Sequence, residues 1–290
     1  MPVSPARRYG AQVSESATAS TTASPPSYPL GGSGTARVLA TGASVGLLGG
    51  MVGLGGAEFR LPLLIGVFGF VALQAVILNK AMSLLVVLVA LPARLFAVPF
   101  SELAPHWGVV VNLLAGSLIG AYLGATWATR MRSATLYRVL AALLVLIAAA
   151  LVWSHLGTFD SLGLTGAAQV VAGVVAGVII GMVAAVMGVA GGELLIPTIV
   201  LLYGLDIKLA GSLSLLVSLP TMLVAFARYS RDDSFAVLAR NGRFVALMAV
   251  GSVLGTLAGG LLLGVVPSVV IVPLLTVLLL ASALKVWRHA

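Results

Sequence analysis

A chain of 290 residues that is 60% hydrophobic and only 8% charged is not a soluble globular domain, for which about 45–50% apolar and about 25% charged residues are usual. So few charged groups cannot cover a body of this size, and lipid is the predicted solvent for most of it. The lack of cysteine excludes a disulfide framework, thiolate metal sites and a cysteine nucleophile. Three scattered histidines, His106, His155 and His289, leave little for a metal site, and no cofactor is expected. The formal charge of +8 rests on sixteen Lys and Arg too dispersed for a nucleic-acid surface.

In chain order, residues 1–36 are rich in Ser, Thr, Ala and Pro and contain no apolar run. They are predicted to form a disordered tail, because they cannot bury enough surface to offset the entropy of ordering. From Val38 onward, long apolar stretches alternate with short polar breaks. A spanning helix needs about 20 residues, which gives spans near 38–56, 61–78, 81–99, 108–129, 137–153, 166–190, 194–206, 209–227, 244–263 and 268–285. The spans 61–78 and 194–206 follow glycine-rich breaks and are read either as full crossings or as re-entrant half-helices. The predicted class is an all-α integral membrane protein with 8–10 transmembrane helices.

Self-comparison shows a duplication. Gly53-Leu54-Gly55-Gly56-Ala57-Glu58-Phe59-Arg60-Leu61-Pro62 aligns with Gly188-Val189-Ala190-Gly191-Gly192-Glu193-Leu194-Leu195-Ile196-Pro197 at an offset of 135, Gly53 to Gly188. The same offset pairs Gly116, Gly120 and Gly124 with Gly251, Gly255 and Gly259. Met82-Ser83-Leu84-Leu85-Val86 pairs with Leu213-Ser214-Leu215-Leu216-Val217 if the intervening loops differ by four residues. Two repeats are expected, 37–155 and 165–290. With the N-terminus in the cytoplasm and ten crossings, thirteen of the sixteen basic residues fall inside: Arg7, Arg8, Arg37, Lys80, Arg130, Arg132, Arg138, Arg228, Arg231, Arg240, Arg243, Lys285 and Arg288. The outer loops 100–107 and 154–165 contain none. This agrees with the positive-inside rule for a multi-pass protein of the cytoplasmic membrane with both termini inside. The repeats then have inverted topology, an architecture used by many secondary transporters.

The paired breaks are the candidate substrate or coupling site. Glycines (Gly55, Gly56, Gly191, Gly192) allow a helix to stop and expose backbone groups, which is tolerated at membrane depth only against protein or a cavity. A helix restarting near Pro62 or Pro197 would turn N–H groups toward an anion. The alternative is a tight turn at the membrane surface. Glu58 and Glu193 occupy equivalent positions and are read as proton carriers, helix caps or partners of Arg. Arg60 and Arg94 either grip an oxyanion or snorkel to headgroups. Ser83, Ser212 and Ser214, with Asn79, supply small polar groups as ligand donors or interhelical contacts. The glycine runs at i, i+4 spacing (Gly42, Gly46 and Gly50; Gly116 onward; Gly173, Gly177 and Gly181; Gly251 onward) are read as helix-packing faces.

These motifs, each followed by an apolar helix and then Lys80-Ala81-Met82-Ser83-Leu84 or Ala210-Gly211-Ser212-Leu213-Ser214, resemble those of the sulfite exporter TauE/SafE family. The resemblance covers 38–288 and departs at Ala57 and Ala190, where the family motif usually has glycine. It implies a permease for small sulfur-containing anions such as sulfite or organosulfonates. The expected function is a secondary transporter working by alternating access, with a coupling proton or cation left open. An anion channel or a permease for small carboxylates is the alternative. An intramembrane enzyme would need a nucleophile–base set that the sequence lacks. The expected partners are a small anion and the bilayer, without nucleic acid. A homodimer is left open.

Overall fold

The computed structural model describes residues 28, 32–52, 56–97, 99–156, 161–261 and 268–289, and their regular structure is entirely helical. In chain order the helices are α1 (Gly32–Val52), α2 (Ala57–Gly66), α3 (Ala72–Ala97), α4 (Phe100–Leu103), α5 (Trp107–Arg130), α6 (Ser133–Leu156), α7 (Gly166–Met187), α8 (Gly192–Tyr203), α9 (Ile207–Tyr229), α10 (Ala236–Arg240), α11 (Gly242–Leu261) and α12 (Ser268–Trp287). The order long, short, long, one turn, long, long occurs twice. Six helical stretches are long and apolar enough to cross a bilayer among the described residues: Ala72–Pro92, Phe100–Arg130, Ser133–Trp153, Gly166–Met187, Ile207–Tyr229 and Gly242–Leu261.

That is fewer than the 8–10 expected. Helices α2 and α8 have 10 and 12 residues, about 15 and 18 Å at 1.5 Å per residue, against a hydrocarbon core of about 30 Å. Neither can cross alone. Helix α1 is 21 residues long, but its Ser, Thr, Arg and six glycines dilute its apolar character. It starts at Gly32, inside the segment read as tail; residues 1–27 lie outside the described ones.

The predicted span 61–78 is corrected. The chain leaves α2 at Gly66, turns through Gly69 at φ 73° and begins a new helix at Ala72. The turn is held by Val67 N–H to Leu63 O at 2.9 Å and Phe70 N–H to Leu64 O at 3.0 Å. Ala72 N–H starts α3 on the Tyr137 hydroxyl at 3.2 Å. Hydropathy could not find this turn, because Val67, Phe68, Phe70 and Val71 are as apolar as a helix. The polar pair Asn79-Lys80, read as the break, lies inside α3. Lys80 is 1% exposed, so it leaves the set of basic residues that marked the inner side. The inferred difference in loop length also falls away: α3 starts fifteen residues after α2, Ala57 to Ala72, and α9 fifteen after α8, Gly192 to Ile207.

Two close helix pairs carry the packing: α1 with α11, and α5 with α7. The glycine runs explain both. A Cβ on Gly42, Gly46 or Gly50 would strike the carbonyls of Met248, Ser252 and Thr256, while one on Gly251, Gly255 or Gly259 would strike those of Leu39, Ala43 and Leu47. Gly116, Gly120 and Gly124 face Val174, Val178 and Met182 in the same way, answered by Gly177 and Gly181 against Leu113 and Ser117. Lipid is as apolar as a leucine side chain, so helices associate here through backbone-to-backbone contact. Helix α12 lies against α6 and α2, and α9 against α5, α3 and α8. At the turn after α2, Phe68, Phe70 and Phe244 pack edge-on with centroids 5.0–5.4 Å apart. Tyr28 joins this cluster through Phe68 and Phe244, and its N–H donates to Asn241 Oδ1 at 2.9 Å.

Two glycines of α11 offer a matched comparison. Gly255→Ala should destabilise the protein by about 1–3 kcal/mol, the usual cost of overpacking. Gly260→Ala should be near neutral, because nothing lies within 4 Å of its Cβ position. Reversible unfolding of both purified variants in mixed micelles measures the difference.

Candidate functional site

The second break is a completed helix terminus. Gly188 takes φ 71° and Gly191 φ 89°, conformations that side chains resist. Gly188 N–H bonds Ala185 O and Val189 N–H bonds Ala184 O, both at 3.1 Å, the double bond of a Schellman end. Gly191 then opens α8, its carbonyl accepting from Leu194 and Leu195 at 3.1 and 2.9 Å. In the first half, Gly56 opens α2 at φ 71°, with Phe59 and Arg60 N–H on its carbonyl at 3.2 Å. Helices α2 and α8 thus restart at Ala57 and Gly192, five residues before the prolines at which the sequence reading placed the restart. Pro62 and Pro197 sit inside them. A proline at i+4 cannot donate to the carbonyls of Glu58 and Glu193, so each glutamate stands at a weakened turn. Neither helix has a side-chain cap, and both place Glu at the second position, toward the positive end of the helix dipole. Gly192 has nothing within 4 Å of its Cβ position, which explains why its counterpart can be Ala57.

Helix α3 runs past both breaks and ties them together. Asn79 Nδ2 donates to Ala57 O at 3.0 Å and to Met187 O at 3.2 Å, so one amide bridges the start of α2 and the end of α7. Lys80 Nζ donates to Ala184 O at 2.8 Å and Val189 O at 2.6 Å, and Ser83 Oγ donates to Gly188 O at 3.3 Å. From α9, Tyr229 Oη donates to Ala185 O at 2.9 Å. The carbonyls of 184, 185, 187, 188 and 189 all have partners, as burial of backbone requires.

The acid–base groups meet at this junction. Glu58, Arg60, Asn79, Lys80 and Ser83 are each at most 3% exposed, and Glu193 is 9% exposed. The Glu58 and Glu193 side chains lie close enough to interact, with Arg60 near Glu58 and Lys80 near Glu193. Two carboxylates are acceptors only, and among the described residues Glu58 Oε2 and both Glu193 oxygens have no partner. A single proton between them would supply the missing donor. Arg60 Nη1 reaches Asn79 Oδ1 and Ser83 Oγ, both at 3.4 Å, near the limit of a useful hydrogen bond. Among the described residues its Nε and Nη2 are buried without a partner.

Glu58, Arg60, Ser83 and Glu193, predicted separately, are therefore neighbours, flanked by Gly56, Gly191, Gly192, Pro62 and Pro197 of the restarting helices. Ser212 and Ser214 are not brought to this group: their hydroxyls return to Lys208 O and Gly211 O of their own helix at 3.3 and 2.8 Å. Gly55 and the side chain of Arg94 lie outside the described residues. Lys80 is the residue that sequence reasoning misplaced. A lysine beside Asn79 within an apolar stretch reads as a polar break, and its partners, the carbonyls of 184 and 189, lie more than a hundred residues away.

Residues 38–286 match the model of a family described as Sulfite exporter TauE/SafE. No curated protein and no solved structure matches the chain. The family match spans nearly all of α1 to α12, both glycine breaks included, and the chain belongs to the TauE/SafE sulfite exporter family.

Proposed function

We propose that this protein carries a small sulfur-containing anion, of the sulfite or organosulfonate class, across the cytoplasmic membrane as a secondary transporter. The observation that carries the reading is the Arg60 guanidinium, buried with Nε and Nη2 unpartnered among the described residues. Buried charged donors left unsatisfied are costly, so the group is suited to an acceptor supplied from outside the chain. An anion with two or more oxygens on sulfur fits that fork, which prefers bidentate acceptors. Ser83 and Asn79 hold the guanidinium in place by accepting from its Nη1 at 3.4 Å each.

The two runs of helices are taken as inverted repeats, 37–155 and 165–290, with α2 and α8 as half-helices entering from opposite faces to meet at Glu58 and Glu193. That is the placement of discontinuous helices in transporters of this architecture. The burial of all six polar side chains is read as a closed state between inward and outward openings. The proton position between the two carboxyls is the proposed coupling site: substrate charge on Arg60 and a proton on the glutamates can enter and leave together. Twelve basic residues remain on the predicted inner side once Lys80 is removed, which still supports cytoplasmic termini.

Three outcomes are expected. In a thermal-shift screen of purified protein, sulfite, thiosulfate and organosulfonates should raise the melting temperature; stabilisation by carboxylates alone would reassign the cargo. Arg60→Lys should weaken anion binding roughly tenfold or more, the effect of losing a bidentate charged contact, and Arg60→Gln should abolish it, both measured by isothermal titration. Glu58→Gln and Glu193→Gln should stop proton-gradient-driven uptake into liposomes while counter-flow exchange persists. Unchanged gradient-driven uptake in both variants would remove the carboxyls from coupling.

A further inference from the structure

Lys80 takes no part in holding the anion in the reading above, and its placement is specific. It is the ninth residue of α3 and 1% exposed, and its amine crosses to the other half of the chain to meet the end of α7. There it lies against Ala184 O at 2.8 Å and Val189 O at 2.6 Å. These carbonyls belong to the negative end of a helix dipole and to the unwound segment that follows. Both contacts are at or below the length usual for charged N–H donors and shorter than neutral ones. A terminal helical carbonyl together with carbonyls of unwound backbone is the ligand type by which broken-helix transporters hold a monovalent cation. Here an amine of the chain fills that place, with Glu193 nearby as the opposing charge. The first half has no mirror of it. At equal helix register Leu215 corresponds to Lys80, and under the sequence match Gly211 does; neither carries a charge.

We propose that the Lys80 ammonium is a tethered cation occupying a carbonyl site at the α7–α8 break, so that the protein needs no Na+ or other metal ion to hold this break closed. The inference deepens the transport reading by naming what stands in a cation site, and it rests on that reading only for the consequence that cargo movement is independent of Na+. Asn79, Ser83 and Tyr229 satisfy the neighbouring carbonyls; of the two on Lys80, Ala184 O also holds the Val189 N–H, while Val189 O has no second donor among the described residues. Removing the amine while leaving space should therefore create an empty cation site. Filling the space with an apolar chain should leave Val189 O unpartnered and Ala184 O with its backbone N–H alone.

The test compares melting temperatures of purified protein in detergent. Wild type should melt at the same temperature in Na+ and in choline at equal ionic strength. Lys80→Ala should melt lower by roughly 10 °C, the shift expected for two charge-assisted hydrogen bonds. n-Propylammonium, which replaces the deleted atoms, or Na+ should restore it saturably, whereas choline should not. Lys80→Met should be destabilised and unresponsive to either ion. A Lys80→Met protein as stable as wild type, or a Lys80→Ala protein with no saturable response to propylammonium or Na+, would overturn the proposal. If Lys80→Ala yields no folded protein, wild type decides: anion uptake within twofold in Na+ and in choline supports the proposal, and a fivefold or greater requirement for Na+ overturns it. Na+-driven anion uptake by wild type would sink this inference and leave the transport reading standing. Amine rescue in a protein that moves no sulfur anion would do the reverse.

Discussion

An interrupted helix within lipid exposes carbonyls that water cannot reach, and each must find a donor inside the protein. The end of α7 is where this constraint bears hardest. Five of its carbonyls, from 184 to 189, are met by Tyr229, Asn79, Ser83 and Lys80. Three of these four donors come from one helix, α3, in the opposite half of the chain. The interruption therefore fixes where α3 lies, and α3 in turn places Asn79 and Ser83 beside Arg60. The scarce polar groups of a chain that is 60% hydrophobic are spent at one junction, and the acid–base cluster forms around it.

Small residues carry the remaining organisation. Where α1 meets α11 and α5 meets α7, glycine Cα atoms touch the opposing carbonyls, leaving no room for rotation or a methyl group. The exception is informative. Gly173 continues the spacing of its run, but its neighbours are the side chains of Tyr203 and Asn112, which bond each other at 2.9 Å. There the space beside the glycine is taken by polar side chains rather than by opposing backbone.

Much of this was legible in the sequence, for reasons that also explain what was not. The duplicated glycine-rich motif, 53–62 and 188–197, located both breaks, because left-handed backbone at Gly56 and Gly191 demands residues that stand out in composition. The i, i+4 glycines located the close pairs, since a missing side chain is visible as letters. Helix boundaries failed at 67–71, where the turn is as apolar as the helices around it and is held by backbone bonds that any sequence can make. Lys80 failed for a related reason. Topology rules treat a basic residue as a label for water, and nothing local distinguishes a lysine that reaches solvent from one that reaches a carbonyl more than a hundred residues away. Ser212 and Ser214 sit in the right helix but satisfy its own backbone, a choice between rotamers that spacing does not specify.

The glycine pairs also bear on which parts can move. Helix α1 begins the first half of the chain and α11 lies in the second; α7 begins the second half and α5 lies in the first. Each rigid pair therefore takes one member from each half, so 37–155 and 165–290 cannot separate as bodies without tearing backbone contacts apart along two full helix faces. The α3–α7 hydrogen bonds add a third tie across the same division. For the alternating access proposed above, the natural moving units are the mixed pairs α1–α11 and α5–α7, shifting relative to α2, α3, α8 and α9. Of these core helices, α2 and α8 are the short ones, each entered through a left-handed glycine and weakened at a proline. They can tilt without breaking a long helix, and Glu58, Arg60 and Glu193 ride on them.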